Sequence, residues 1–81
     1  MRVRVLFFAT LRDRAGRRTL DMEIQDGMNI GSFKEKISKD IPALQPSMDS
    51  LLVAINREYA FDETIIPEGA EIAMFPPVSG G

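Results

Sequence analysis

The sequence predicts an α+β fold in which a mixed sheet of four to five strands is covered on one face by one main helix. Three observations predict it. Residues 2–10 and 19–24 alternate along the chain with the period of a strand. Residues 30–41 instead place Ile30, Phe33, Ile37 and Ile41 at spacings of three and four, the stripe of an amphipathic helix. Residues 51–56 and 71–75 are short apolar runs bounded by turn residues, as buried strands are.

In the first strand Val3, Val5 and Phe7 point one way, and Arg2, Arg4, Leu6 and Phe8 the other. "RDRAG", Arg12 to Gly16, reads as a polar turn ending in a glycine that reaches positive φ easily. "TLDMEI" then sets Leu20, Met22 and Ile24 against Thr19, Asp21 and Glu23, so the first two strands form a hairpin. "QDG" breaks the pattern and Asn29 is the N-cap of the helix. Lys34, Glu35, Lys36 and Lys39 lie mostly off the apolar stripe, with Glu35 and Lys39 in the favourable i,i+4 order. Gly31 costs the helix about 1 kcal/mol relative to alanine, and Pro42 stops it. Residues 43–50 read as loop. "LLVAIN" is a strand buried on both faces, "NRE" a turn, Tyr59 to Phe61 a short strand, and "PEG" a turn before the last strand, "EIAMF". The prolines at 76 and 77 have no N–H and end the pairing. Neither sheet nor helix can hide its apolar face alone. The order β-β-α-β-(β)-β, with the first and last strands side by side in the centre, is the β-grasp or ubiquitin-like arrangement. The domain is expected over residues 1–75, with 76–81 a flexible C-terminal tail ending in Gly-Gly.

Composition narrows the function. Ten basic against twelve acidic residues give a net charge of −2, which argues against a nucleic-acid partner, whose binders carry a basic stripe. No apolar run approaches the ~20 residues that span a bilayer. The N-terminus alternates like a strand and lacks a signal-peptide pattern, so no membrane association and a cytoplasmic location are expected. There is no Cys and no His. A disulfide, a zinc finger, a cysteine nucleophile and imidazole acid–base catalysis are excluded on this chain. It has no P-loop and no dinucleotide fingerprint. The carboxylates Asp13, Asp21, Glu23, Asp26, Glu58, Asp62, Glu63, Glu68 and Glu71 are scattered over turns and exposed strand faces, and read as solvated charge rather than a catalytic pair.

Two features remain. The first is "FPPVSGG". One reading is an ordinary frayed terminus. The other takes the residues together. Pro76 and Pro77 favour an extended stem, Val78 offers one apolar grip, and Ser79, Gly80 and Gly81 have almost no bulk. Six residues past Phe75, at up to ~3.3–3.6 Å each, reach roughly 20 Å. Such a tail can thread a narrow channel and deliver an α-carboxylate, ionised at pH 7, to attack the α-phosphate of ATP. The second feature is apolar: if the helix covers Val3, Val5, Phe7, Ile72 and Met74, Phe8 and Phe75 emerge together on the open face beside the root of the tail. They form either a small second core or a docking patch for a partner.

"VRVLFFATLRDRAG", "LLVAIN" and "PEGAEIAMFPPVSGG" resemble the small, sulfur-carrier subunits of molybdopterin synthase, in order and over essentially the whole chain. The resemblance implies that Gly81 is adenylated by a ubiquitin-activating-type enzyme using ATP and Mg²⁺, and that a sulfur donor protein converts it to a thiocarboxylate. The tail then enters the large subunit of the synthase, and its sulfur passes to a cyclic pterin precursor. It further implies a heterotetramer with two large subunits at the centre, and partner-facing positions at Phe8, Arg12, Tyr59 and Phe75. No cofactor or metal is expected on this chain, and the catalytic side chains belong to the partners. The competing expectations are a sulfur carrier for thiamine or tRNA thiolation, a ubiquitin-like protein modifier, and a pure β-grasp interaction module.

Overall fold

The computed structural model describes residues 1–77. Its sheet holds β1 (Arg2–Phe7), β2 (Thr19–Glu23), β3 (Leu52–Ile55), β4 (Glu58–Ala60) and β5 (Glu71–Phe75) in the order β2-β1-β5-β3-β4. The first and last strands lie side by side in parallel at the centre, as the sequence predicts, and every other pairing is antiparallel. One long helix, α2 (Ile30–Asp40), covers one face; α1 (Thr10–Ala15) precedes it in the chain.

Val3, Val5 and Phe7 from β1, Val53 and Ile55 from β3, and Ile72 and Met74 from β5 share one core with Ile30, Phe33 and Ile37 of α2. Phe33, Ile30, Ile37, Ile72, Met74 and Val5 have no accessible surface at all. Asn29 caps α2 as expected: its side-chain oxygen accepts from the Ser32 N–H at 2.8 Å, a cap worth about 1 kcal/mol. Gly31 lies inside the helix. Its N–H donates to the Asp62 carbonyl at 2.9 Å, and a Cβ built there would sit 3.4 Å from that oxygen. The glycine thus lies where the 61–64 loop comes against the first turn of the helix.

Four expectations need correction. The first strand ends at Phe7, not at residue 10, and the polar turn at 12–16 is α1, held to the core by Leu11 and closed by Gly16 at φ 74°. Arg12 and Arg14 in its last turn suit the negative end of the helix. Residues 42–47, expected as loop, form a 3₁₀ helix, Pro42–Ser47, that buries Leu44. The third strand is not buried equally on both faces: Val53 and Ile55 join the core, whereas Leu52 and Ala54 face the open side. On α2 the i,i+4 ion pair is Lys36–Asp40 at 3.6 Å rather than Glu35–Lys39. The reading of 76–81 as a flexible tail falls mostly on Val78, Ser79, Gly80 and Gly81, which lie outside the described residues. Among the described residues no helix is long and apolar enough to cross a membrane.

Candidate functional site: the open sheet face at the tail root

Because β1 and β5 are parallel, both finish at the same end of the sheet, and the tail leaves from that end. The pairing Phe7↔Met74 puts the next residues, Phe8 and Phe75, beside each other on the uncovered face. Their rings stack with centroids 4.7 Å apart and planes 10° apart. Phe8 is 40% exposed. Its N–H donates to Met74 O at 3.2 Å, and its carbonyl accepts from Leu11 N–H at 3.1 Å. That second bond closes a tight turn in which Ala9 takes φ 52° and ψ −128°. A side chain pays strain in that region, so the rest of the turn must hold it. Here it swings the chain out of β1 into α1 while leaving the Phe8 ring on Phe75.

One row of side chains crosses the open face through all five strands: Thr19, Leu6, Ala73, Ala54 and Tyr59 are successive register partners. The third and fourth members are alanines. They floor a concavity of about 360 Å³, walled by Phe8 and Phe75 toward the tail, by Arg57 and Glu71 at the other end, and by Leu6 and Tyr59 at the sides. Tyr59 is 73% exposed. Arg57 is held there by the β3–β4 turn, where Asn56 and Arg57 both have positive φ, at 49° and 73°. The Asn56 side chain fixes the turn by accepting from the Glu71 N–H at 3.0 Å.

Three of the four residues expected to face a partner, Phe8, Tyr59 and Phe75, therefore line one concavity. Arg12 does not: it sits exposed on α1, beyond the Phe8 turn. Pro76, half-buried, and Pro77, exposed, continue outside any element; Val78, Ser79, Gly80 and Gly81 lie outside the described residues. Leu6, Ala54, Ala73, Arg57 and Glu71 were not singled out by sequence reasoning. The signal that could have found the alanines is the register of three strands, which no single segment carries.

Further along the same face charge is neutralised across the β1–β2 pair. Arg4 donates to Asp21 at 3.0 Å and Arg2 to Glu23 at 3.2 Å. The hydrogen bond from Arg4 holds the Asp21 carboxyl below the ordinary carboxylate range, and the same bond raises the Arg4 guanidinium. Asp62 is taken up by Lys34 at 2.8 Å. Among the described residues no three acidic side chains come together to hold a metal ion.

A five-stranded mixed sheet with a central parallel pair, one long covering helix and a last strand that runs out beside an exposed aromatic patch defines a ubiquitin-like β-grasp protein. The family model described as the ThiS family matches residues 5–81, and the chain belongs to that family. It is 35% identical over 83 aligned residues to the molybdopterin synthase sulfur carrier subunit of Chlamydomonas reinhardtii, with 100% of both chains covered. It is 38% identical over 79 residues to the Haemophilus influenzae protein of the same name, covering 95% of this chain and 96% of that one. Among solved structures it is similar to SAMP1 from Haloferax volcanii, at a TM-score of 0.88 and 29% identity, with 100% of both chains covered. The family resemblance drawn from the sequence motifs is borne out.

Proposed function

We propose that this chain is the sulfur carrier of molybdenum-cofactor biosynthesis, the small subunit of molybdopterin synthase. One observation carries the reading: the central strand β5 ends at Phe75, whose ring walls an open concavity, and the glycine-terminated tail begins at the next residue. A partner that covers the concavity lies beside the root of the tail. The relatives' shared name and the match over essentially their whole length support the same reading.

In this reading a ubiquitin-activating-type enzyme docks on the open face and receives the tail. The Gly81 carboxylate attacks the α-phosphate of ATP, assisted by Mg²⁺ on that enzyme, and pyrophosphate leaves. Sulfur from a donor protein then displaces AMP and leaves a thiocarboxylate. Glycine has no Cβ to obstruct either attack. The charged tail next enters the large subunit, which supplies the catalytic side chains, and the sulfur passes to a cyclic pterin precursor. The assembly is a heterotetramer with the two large subunits at its centre, working in the cytoplasm. The body of the carrier contributes binding and orientation, which convert an encounter between carboxylate and nucleotide into a local event.

The test is intact-mass measurement after incubation with the activating enzyme, ATP and a sulfur source. One oxygen should be exchanged for sulfur, and the exchange should map to Gly81. A variant extended by one residue past Gly81 should fold normally and stay unloaded; normal loading of that variant would defeat the proposal. The likeness to a small archaeal modifier protein favours one second reading, conjugation to protein lysines. Mixing the loaded carrier with the large subunit and pterin precursor separates the two. Transfer to lysines in place of the pterin would favour the modifier.

A further inference from the structure

Resting on the carrier reading, we propose that the arginines at the root of the tail determine which nucleophile can take the activated acyl group. They give that end of the molecule positive charge without an amine. The chain's ten cationic side chains divide cleanly. Lys34, Lys36 and Lys39 all fall on α2, while positions 2, 4, 12, 14, 17, 18 and 57 are all arginine. Four of those arginines lie within the seven residues 12–18. That stretch is placed at the tail's end of the sheet by two backbone bonds: Phe7 N–H to Arg18 O at 2.8 Å, and Phe8 N–H to Met74 O at 3.2 Å. Six residues past Phe75 are long enough, at most roughly 20 Å, to bring a terminal acyl group to this stretch.

The amines are disposed differently. The α-amino group of Met1 lies at the start of β1, the far end of the sheet from Phe75. It donates to Ile24 O at 2.7 Å, with Glu23 and Asp26 carboxylates 3.5 and 3.6 Å away. Lys34 lines a concavity with Leu52, the register partner of Phe75. Its amine is engaged by Asp62 at 2.8 Å, and its side chain is only 19% exposed. Lys36 faces Asp40 at 3.6 Å. Lys39 is exposed in the last turn of α2, on the covered side of the sheet.

The distinction is chemical. An amine that attacks the carbonyl carbon of the acyl-adenylate forms a C–N bond, the C–O bond to phosphate breaks, AMP departs and the nitrogen loses a proton. The product is an amide that can no longer accept sulfur. A guanidinium stays protonated above pH 12 and has no lone pair free for that attack. Lysine has an ordinary pKa near 10.4, and below that value its unprotonated, nucleophilic fraction rises about tenfold with each unit that the pH is raised. Arginine at 12–18 keeps the positive field at the tail root and removes the side reaction.

The assay uses the full chain carrying a chemically installed thioester at Gly81, so it needs no partner enzyme. Its outcome is independent of whether loading by the activating enzyme succeeds. Wild type is compared with Arg17→Lys/Arg18→Lys and, as a second variant, Arg14→Lys. The wild type should hydrolyse to the free acid. The double variant should yield a species lighter by one water, an amide between Gly81 and a substituted position. That species should form at least about tenfold faster than any amide in the wild type, and about tenfold faster per pH unit between 7 and 9. A purely structural role for these arginines predicts no such product. Equal amide formation in wild type and variants, or none in either variant at pH 9, would overturn the inference.

Discussion

The Phe8–Phe75 stack admits two descriptions, a small second core or a docking patch, and a double-mutant cycle separates them. Phe8 is 40% exposed, so about 60% of its surface is covered, whereas Phe33 has none exposed. A phenylalanine covering ~150–200 Å² in full then hides on the order of 100 Å². At ~25 cal/mol per Å² that is about 2.5 kcal/mol, and roughly 1.5–2 after allowing for contacts kept in the unfolded chain and by the alanine Cβ. Beyond that sum, a stacked aromatic pair contributes ~0.5–1.5 kcal/mol that disappears with either ring. Phe8→Ala should therefore cost about 2–3.5 kcal/mol, lower Tm by roughly 8–28 °C and leave a folded protein, whereas Phe33→Ala loses ~3–5 kcal/mol. Urea unfolding of wild type, Phe8→Ala, Phe75→Ala and the double variant should return a coupling of ~0.5–1.5 kcal/mol. Calorimetric titration of folded Phe8→Ala with the large synthase subunit should show affinity reduced about thirtyfold or more, the size of a central anchor at an interface. A coupling under ~0.3 kcal/mol would refute the energetic reading of the stack. Unchanged affinity in the folded variant would refute the docking patch and leave the second core.

Other consequences are quicker to check. Gly31→Ala should raise stability by up to about 1 kcal/mol in thermal unfolding, because the new methyl meets Asp62 O at 3.4 Å, an ordinary contact; Gly31→Leu should lower it, since a longer side chain strikes the 61–64 loop. Ala54→Leu should fill the floor of the concavity, weaken partner binding about tenfold or more, and change stability by less than about 1 kcal/mol, because the space above the floor is open rather than packed. The Asp21 carboxyl should titrate below the ordinary range in a carbon-detected NMR series, and Arg4→Gln should return it upward. A carboxylate depressed in the folded state stabilises fully above its unfolded pKa of ~3.9 and loses that contribution as pH falls through the lower folded value. The Arg4–Asp21 pair therefore contributes at neutral pH, and its contribution is lost only in acid, as pH falls below about 4.

Most strands were legible because period-two alternation survives in any context: Val3, Val5 and Phe7 fall on the covered face as the pattern requires. The long helix was legible from Asn29 and the stripe Ile30, Phe33, Ile37. The short helices were not, for a physical reason. α1 buries a single residue, Leu11, among charged neighbours, so no stripe exists to be read, and Gly16 serves equally as a turn glycine or a C-cap. The 3₁₀ helix at 42–47 buries only Leu44 and contains two prolines; Pro42 is tolerated there because the first N–H groups of a helix have no internal partner. "LLVAIN" looks two-sided because every residue but the last is apolar. Only the register Ala54↔Ala73 shows that one face carries the core and the other a floor. The aromatic half of the site was visible from strand parity, while its alanine half depended on three strands being laid side by side.

The position of the patch on β5 has a mechanical consequence. β5 is bonded on both sides, to β1 in parallel and to β3 antiparallel, and Met74 is wholly buried. The root of the tail is thus fixed by the central strand of the sheet, paired on both sides, and Phe75 is held by it. Binding free energy gained at the concavity is consequently not lost to movement between patch and tail. It acts as a raised local concentration of the terminus at a site within about 20 Å of the patch. Loosening the root should therefore cost more in loading rate than in affinity. Met74→Ala, which removes packing under β5 without touching the open face, should leave the affinity of the folded fraction for the activating enzyme nearly unchanged and slow thiocarboxylate formation. Equal losses in both would show that the concavity alone, and not its rigid connection to the tail, sets the rate.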